Sequence, residues 1–125
     1  VLYAPAYSEI HYGDRYRSFN LTTTLSVRNT DRGRPLILRR VDYFSAAGVL
    51  VRSYLTAPQV LAPLASAVFV VKESDKAGGV NPAFLVEWTG EQPLVTPIVE
   101  TVMVGTSSGQ GISFVLPARV LEEKP

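Results

Sequence analysis

Histidine occurs once, at position 11, within Glu9-Ile10-His11-Tyr12-Gly13-Asp14. An imidazole that titrates near neutrality thus stands between two carboxylates, and Glu100 is a third that the fold could bring to it. Such a grouping admits a small metal centre or an acid–base pair in a hydrolase. Zinc and copper sites built on histidine ordinarily add a second imidazole or a thiolate, however, and the chain has neither. The missing cysteine also removes blue-copper sites, iron–sulfur clusters, a thiolate nucleophile and disulfides. No cofactor or metal is expected, and a surface role for His11 is the better reading.

Other constellations weaken in the same way. A serine hydrolase would need His11 beside an activated serine, but no Gly-x-Ser-x-Gly elbow occurs. The nearest string, Gly105-Thr106-Ser107-Ser108-Gly109, does not lead into a helix-forming segment. The stretch from Gly105 to Gly111 resembles an anion cradle only in its glycines, because a phosphate loop also carries lysine and opens a helix. A hairpin connection explains it better. Glu87 and Glu100, on successive expected strands, are the obvious pair for glycoside hydrolysis, yet outward carboxylates are ordinary on sheet faces. Five arginines fall between Arg28 and Arg40, with Asp31 and Asp42 among them, which favours local salt bridges over an anion-binding patch.

Aromatic residues suggest contact instead of catalysis. Tyr3, Tyr7, Tyr12 and Tyr16 are four of the six tyrosines, and each combines a flat apolar ring with a polar tip. The expected contact residues are Tyr7, His11, Tyr12, Asp14 and Glu100, joined by Ser107, Ser108 and Gln110 from the glycine- and serine-rich segment. A protein or a glycan is the expected partner.

The elements that must hold these residues read as strands. From Phe19 to Asn29, Phe19, Leu21, Thr23, Leu25 and Val27 alternate with polar neighbours, the period of a half-buried antiparallel strand. A polar turn over 29–35 leads to a strand from Leu36 to Phe44. Gly48 then turns the chain into Val49–Leu55, which makes a hairpin. Pro58 and Pro63 oppose a helix over 57–69, despite its alanines, and an apolar strand over 66–73 follows, buried on both faces or partly covered by a loop. Phe84, Val86 and Trp88 share the inward face of 83–89. Ile98–Gly105 and Ile112–Leu116 form the last pair, and residues 117–125 read as a charged tail. About seven or eight short strands without a helix predict an all-β, antiparallel two-sheet sandwich of the immunoglobulin or fibronectin III kind.

Composition agrees with one domain spanning 1–125. The chain is 46% hydrophobic, long enough for its own core, and free of any apolar run of membrane-spanning length. Twelve basic and eleven acidic residues are interspersed, so the basic stripe of a nucleic-acid binder is missing.

The strings Pro5-Ala6-Tyr7-Ser8, Tyr12-Gly13-Asp14, the run from Asn20 to Asp31, Val41-Asp42-Tyr43, Pro63-Leu64-Ala65-Ser66, Val86-Glu87-Trp88 and the run from Gln110 to Phe114 resemble a family of bacterial exported proteins classed only as a domain of unknown function. The resemblance spans nearly the whole chain. It implies a periplasmic or secreted location in the bacterial envelope, often behind a signal peptide or lipid anchor, and it transfers no catalytic residue. A chain opening on Val1 fits the removal of such a segment. The expectation is a non-catalytic binding or accessory module.

Overall fold

The computed structural model describes residues 1–12, 17–72, 75, 77–90, 94–107 and 110–121; for 9–12, 17–20, 106–107 and 110–112 the backbone alone is described. Among these residues there are twelve strands and no helix: β1 (Leu2–Pro5), β2 (Glu9–Tyr12), β3 (Arg17–Asn20), β4 (Thr22–Arg28), β5 (Leu36–Phe44), β6 (Leu50–Ser53), β7 (Gln59–Leu61), β8 (Ser66–Val71), β9 (Ala83–Thr89), β10 (Ile98–Ser107), β11 (Gln110–Pro117) and β12 (Arg119–Val120). The count exceeds the expected seven or eight because several strands are only two to four residues long. Segments so short carry too little alternation to stand out in a sequence.

All pairings are antiparallel. One sheet runs β12-β1-β9-β5-β6, with β7 also on β5; the second runs β11-β10-β4-β8; β2 and β3 form a separate hairpin. From β4 onward the chain changes sheets at every step except within β5–β7 and within β10–β11. This closes two layers over one core, because alternation along each strand turns its apolar set inward. Leu2 and Ala4 of β1, Leu25 and Val27 of β4, Leu36, Leu38, Val41 and Tyr43 of β5, Val71 of β8, Phe84 and Val86 of β9 and Val99 of β10 meet there. Phe84 is fully buried, whereas Trp88 is half-buried and packs on the margin of this core instead of anchoring its centre.

Several expected segments take a different form. The long alternation from Phe19 to Asn29 divides at Leu21, whose N–H donates to Ser8 O (2.8 Å), so β3 leaves the sheet to pair with β2 while β4 stays in it. The N-terminal segment supplies β1, laid between β9 and β12. Residues 57–69 contribute β7 and the start of β8, as the two prolines require. β8 is covered on one face only, with Val68 and Val70 61% and 48% exposed. In the expected tail, Pro117 ends β11 and Arg119–Val120 pairs with β1; residues 122–125 lie outside the described residues.

Polar side chains fix the turns. Gly48, at φ 82°, makes the tight return from β5 to β6. Asn29, fully buried at the end of β4, donates through Nδ2 to the carbonyls of Arg34 (2.9 Å), Leu61 (3.2 Å) and Ala62 (3.2 Å) and accepts from Asp31 N–H (3.0 Å). Asp31 in turn accepts from the N–H groups of Gly33 (2.9 Å), Arg34 (3.0 Å) and Val95 (3.4 Å).

Candidate functional site

Two hairpins stand side by side at one end of the sandwich. The β4–β10 ladder runs up to Thr22 opposite Val104, and β3, continuing beyond β4, lies against β10 where that strand approaches Ser107. β2 pairs with β3 from Glu9↔Asn20 to Tyr12↔Arg17, and β11 returns from β10 with Gln110 opposite Ser107. His11 and Tyr12 therefore sit on one hairpin, Ser107 and Gln110 on its neighbour. Asp14 and Ser108 lie outside the described residues, as do the side chains of His11, Tyr12, Ser107 and Gln110. The connection expected over 106–111 is shorter than its composition suggests, since Thr106 and Gly111 belong to the ladder.

Tyr7 stands at the foot of this pair. Its ring is half-buried and tilted on Phe114 at 6.4 Å, with Leu21 and Met103 beneath. Thr23 Oγ1 donates to Tyr7 O (3.3 Å), and Thr101 Oγ1 to Pro5 O (2.6 Å), so the approach to the hairpins is fastened to the second sheet. Tyr7 is thus mainly a packing residue, with part of one face free.

Glu100 is not with them. It sits opposite Ser26 and Pro117, and the run of β10 from there to Ser107 measures roughly 23 Å at about 3.3 Å per residue. Convergence of Tyr7, His11 and Glu100 in one concave site is therefore not what the fold produces. The Glu87–Glu100 pair fails for a related reason. β9 and β10 belong to different sheets, and both residues alternate with buried neighbours, which puts them on opposite outer faces of the sandwich. A glycosidase pair needs its carboxylates within about 10 Å. Among the described residues no three histidine, aspartate or glutamate side chains are grouped as a metal would require.

The arginines disperse. Arg28 Nη1 donates to Leu64 O (2.7 Å), Arg39 Nε to Thr89 Oγ1 (3.0 Å), and Arg40 lies 2.9 Å from Asp42 and 3.8 Å from Glu87. Arg40 carries the salt-bridge reading of this segment, whereas Arg28 and Arg39 bond neutral oxygens. A further cluster joins β6 to the loop after β8: Arg52 donates to Tyr54 Oη (3.1 Å) and Asp75 Oδ2 (2.9 Å), and its guanidinium lies 5.6 Å from the Tyr54 ring centre.

Two carboxylates are held in their charged form by the loops around them. The Gly33 N–H, followed by those of Val95 and Arg34 and the charge of Arg34, holds the Asp31 carboxyl below the usual aspartate range. The Ala77 N–H and then Arg52 do the same for Asp75. A depressed folded pKa contributes stability that is complete above the unfolded value of about 3.9 and is lost as pH falls through the folded value. Denaturant midpoints measured from pH 6 to pH 2 should therefore fall below about pH 4, and Asp31→Asn with Asp75→Asn should flatten that fall.

A surface rich in valine carries none of the reactive groups considered above. On the outer face of the second sheet, Val70, Thr24, Val102 and Val115 form a straight row across all four strands. Val68, Ser26, Glu100 and Pro117 make the row beside it, and Thr22, Val104 and Ser113 the row beyond. Val104 and Val115 are about half exposed, like Val68 and Val70. The solvated face of an antiparallel sheet is usually polar, and exposed apolar side chains grouped on it suit a contact site. The available signal was valine at both parities in Ser66–Val71 and Val99–Val104, which leaves one face apolar and wet.

A family model described as Protein of unknown function (DUF3124) matches residues 1–121. No curated protein and no solved structure matches the chain.

Proposed function

We propose that this chain, which belongs to the family Protein of unknown function (DUF3124), is a non-catalytic binding or accessory module of the bacterial envelope, periplasmic or secreted, with a lipid anchor upstream as one route to it. The location rests on the resemblance of its sequence strings to exported proteins. The binding role rests on one observation, the valine and threonine face of the second sheet, which runs along β10 and β11 directly into the paired hairpins. A protein suits this face better than a glycan. Sugar recognition favours aromatic platforms and convergent polar groups, whereas the inward alternation of Phe114 leaves no ring on this face among the described residues.

The sandwich is proposed to be of the immunoglobulin and fibronectin III kind. In support, β4 pairs with β8 in one sheet and β5 with β9 in the other, which reproduces the B–E and C–F pairs at the centre of that arrangement. The flanking places are filled differently: β1, from the start of the chain, lies beside β9, and β10, from its end, beside β4.

Immobilised protein should retain a specific envelope component that Val102→Lys with Val115→Lys releases. Glu87→Gln, on the opposite face, should retain it. Retention that ignores the valine face but vanishes on adding a soluble glycan would replace this reading with the glycan one, and no specific retention would end both.

A further inference from the structure

Edge strands of sheets are ordinarily guarded by charge, proline, a bulge or brevity. Here β12 has two residues, β6 meets a bulge between Tyr43 and Phe44, and β11 carries Pro117. β8, Ser66-Ala67-Val68-Phe69-Val70-Val71, has six residues and none of these devices.

The direction of its backbone groups follows from one hydrogen bond. Asn29 N–H donates to Ala65 O (2.9 Å), so residues 29 and 65 form a hydrogen-bonded pair of the β4–β8 ladder. Pairs alternate, which makes Val27/Ala67, Leu25/Phe69 and Thr23/Val71 the bonded pairs that follow. The N–H and C=O groups of Ser66, Val68 and Val70 therefore point away from β4, and among the described residues no backbone group bonds to them.

We propose that β8 pairs antiparallel with β8 of a second copy of this chain, about a two-fold axis at Val68. In that register Ser66 faces Val70 of the partner subunit and Val68 faces its own equivalent, so every outward group on both strands is bonded. The side chains complement one another as well. On the inner face half-buried Ala67 stands against the partner's Phe69, small against large, twice over; on the outer face the two Val68 side chains cover each other, and no charge opposes a like charge. The two four-stranded sheets become one eight-stranded sheet whose outer face carries the valines of both copies. The contact is small, so association is expected to be weak and concentration-dependent.

Sedimentation of the whole chain across a concentration series should show a monomer–dimer equilibrium. Val68→Lys or Val68→Glu should each abolish it, since the axis sets two like charges face to face, and an equimolar mixture of the two variants should restore a dimer. The chain has no cysteine, so oxidised Val68→Cys should form a disulfide dimer faster than Val60→Cys, on exposed β7 of the other sheet. A wild type monomeric throughout the series, or a mixture that stays monomeric while both variants keep the native circular dichroism spectrum, would overturn the proposal.

Discussion

Asn29→Ala should lower the unfolding free energy by about 2–4 kcal/mol in a denaturant titration, with no exposed surface altered. The size follows from what the amide holds. Its Nδ2 serves three carbonyls, of Arg34, Leu61 and Ala62, from two different connections, and its Oδ1 fixes the Asp31 N–H. Truncation removes these bonds around a side chain that has no solvent exposure, and a polar group left there without a substitute partner costs about 1–3 kcal/mol; Ala62 O keeps the Ala65 N–H. Asn29→Asp is a sharper version. The carboxylate it introduces would face three carbonyl oxygens without a donor, so its cost should exceed that of alanine near neutrality and diminish in acid, where a protonated carboxyl can donate once. Equal costs for the two variants at pH 7 would mean that water reaches Asn29.

The sequence made this loop legible as a turn but not as a lock. Asp31 and Gly33 are recognisable turn residues, yet two of the three carbonyls that Asn29 serves arrive from 32 and 33 positions further along the chain, and only the packing of β7 brings them there. The long strands were legible for the opposite reason. Ala83–Thr89 has bounds that match its alternation, because burial on one face imposes the period locally, and Leu36–Phe44 has bounds set by the turns that flank it. β1 was hidden because four residues carry little pattern and its neighbours are β9 and β12, both remote in sequence. The same remoteness decided the candidate residues. The hairpin register brings Ser107 opposite Gln110, close in the chain, whereas Glu87 and Glu100, also close, are parted by a change of sheet that composition does not announce. The valine face carries no chemical signal in the sequence, because Val102 and Val115 have no reactive side chain.

The second large effect is at Tyr43, whose removal bears on the hairpins as well as on the core. Its ring is the largest fully buried side chain and lies 4.9 Å from Phe84; Tyr54, 6.5 Å from it, reaches across to Phe69 of the second sheet at 5.7 Å. Tyr43→Ala should therefore cost about 3–5 kcal/mol, as aromatic truncations in cores do. Burial pushes the hydroxyl pKa up, so the group stays neutral, and it bonds the Ser8 side chain. Ser8 is itself buried and tied by backbone to Val80 and Leu21, immediately before β2 begins. Tyr43→Phe should cost only about 0.5–1.5 kcal/mol overall, while amide exchange quickens at Ser8 and in the β2–β3 hairpin. The hydroxyl also explains Gly78. A Cβ there would strike Tyr43 Oη and sit 2.8 Å from Pro82 Cβ and from the ring carbon bearing the hydroxyl, so Gly78→Ala should cost about 1–3 kcal/mol. Combining Gly78→Ala with Tyr43→Phe should cost less than the two losses added, because one obstacle is gone, but the ring and Pro82 keep the rescue partial. The single indole, Trp88, reports unfolding for all four variants. Strict additivity would show that the loop carrying Gly78 moves aside, and that Tyr43 fixes the foot of the hairpins without its help.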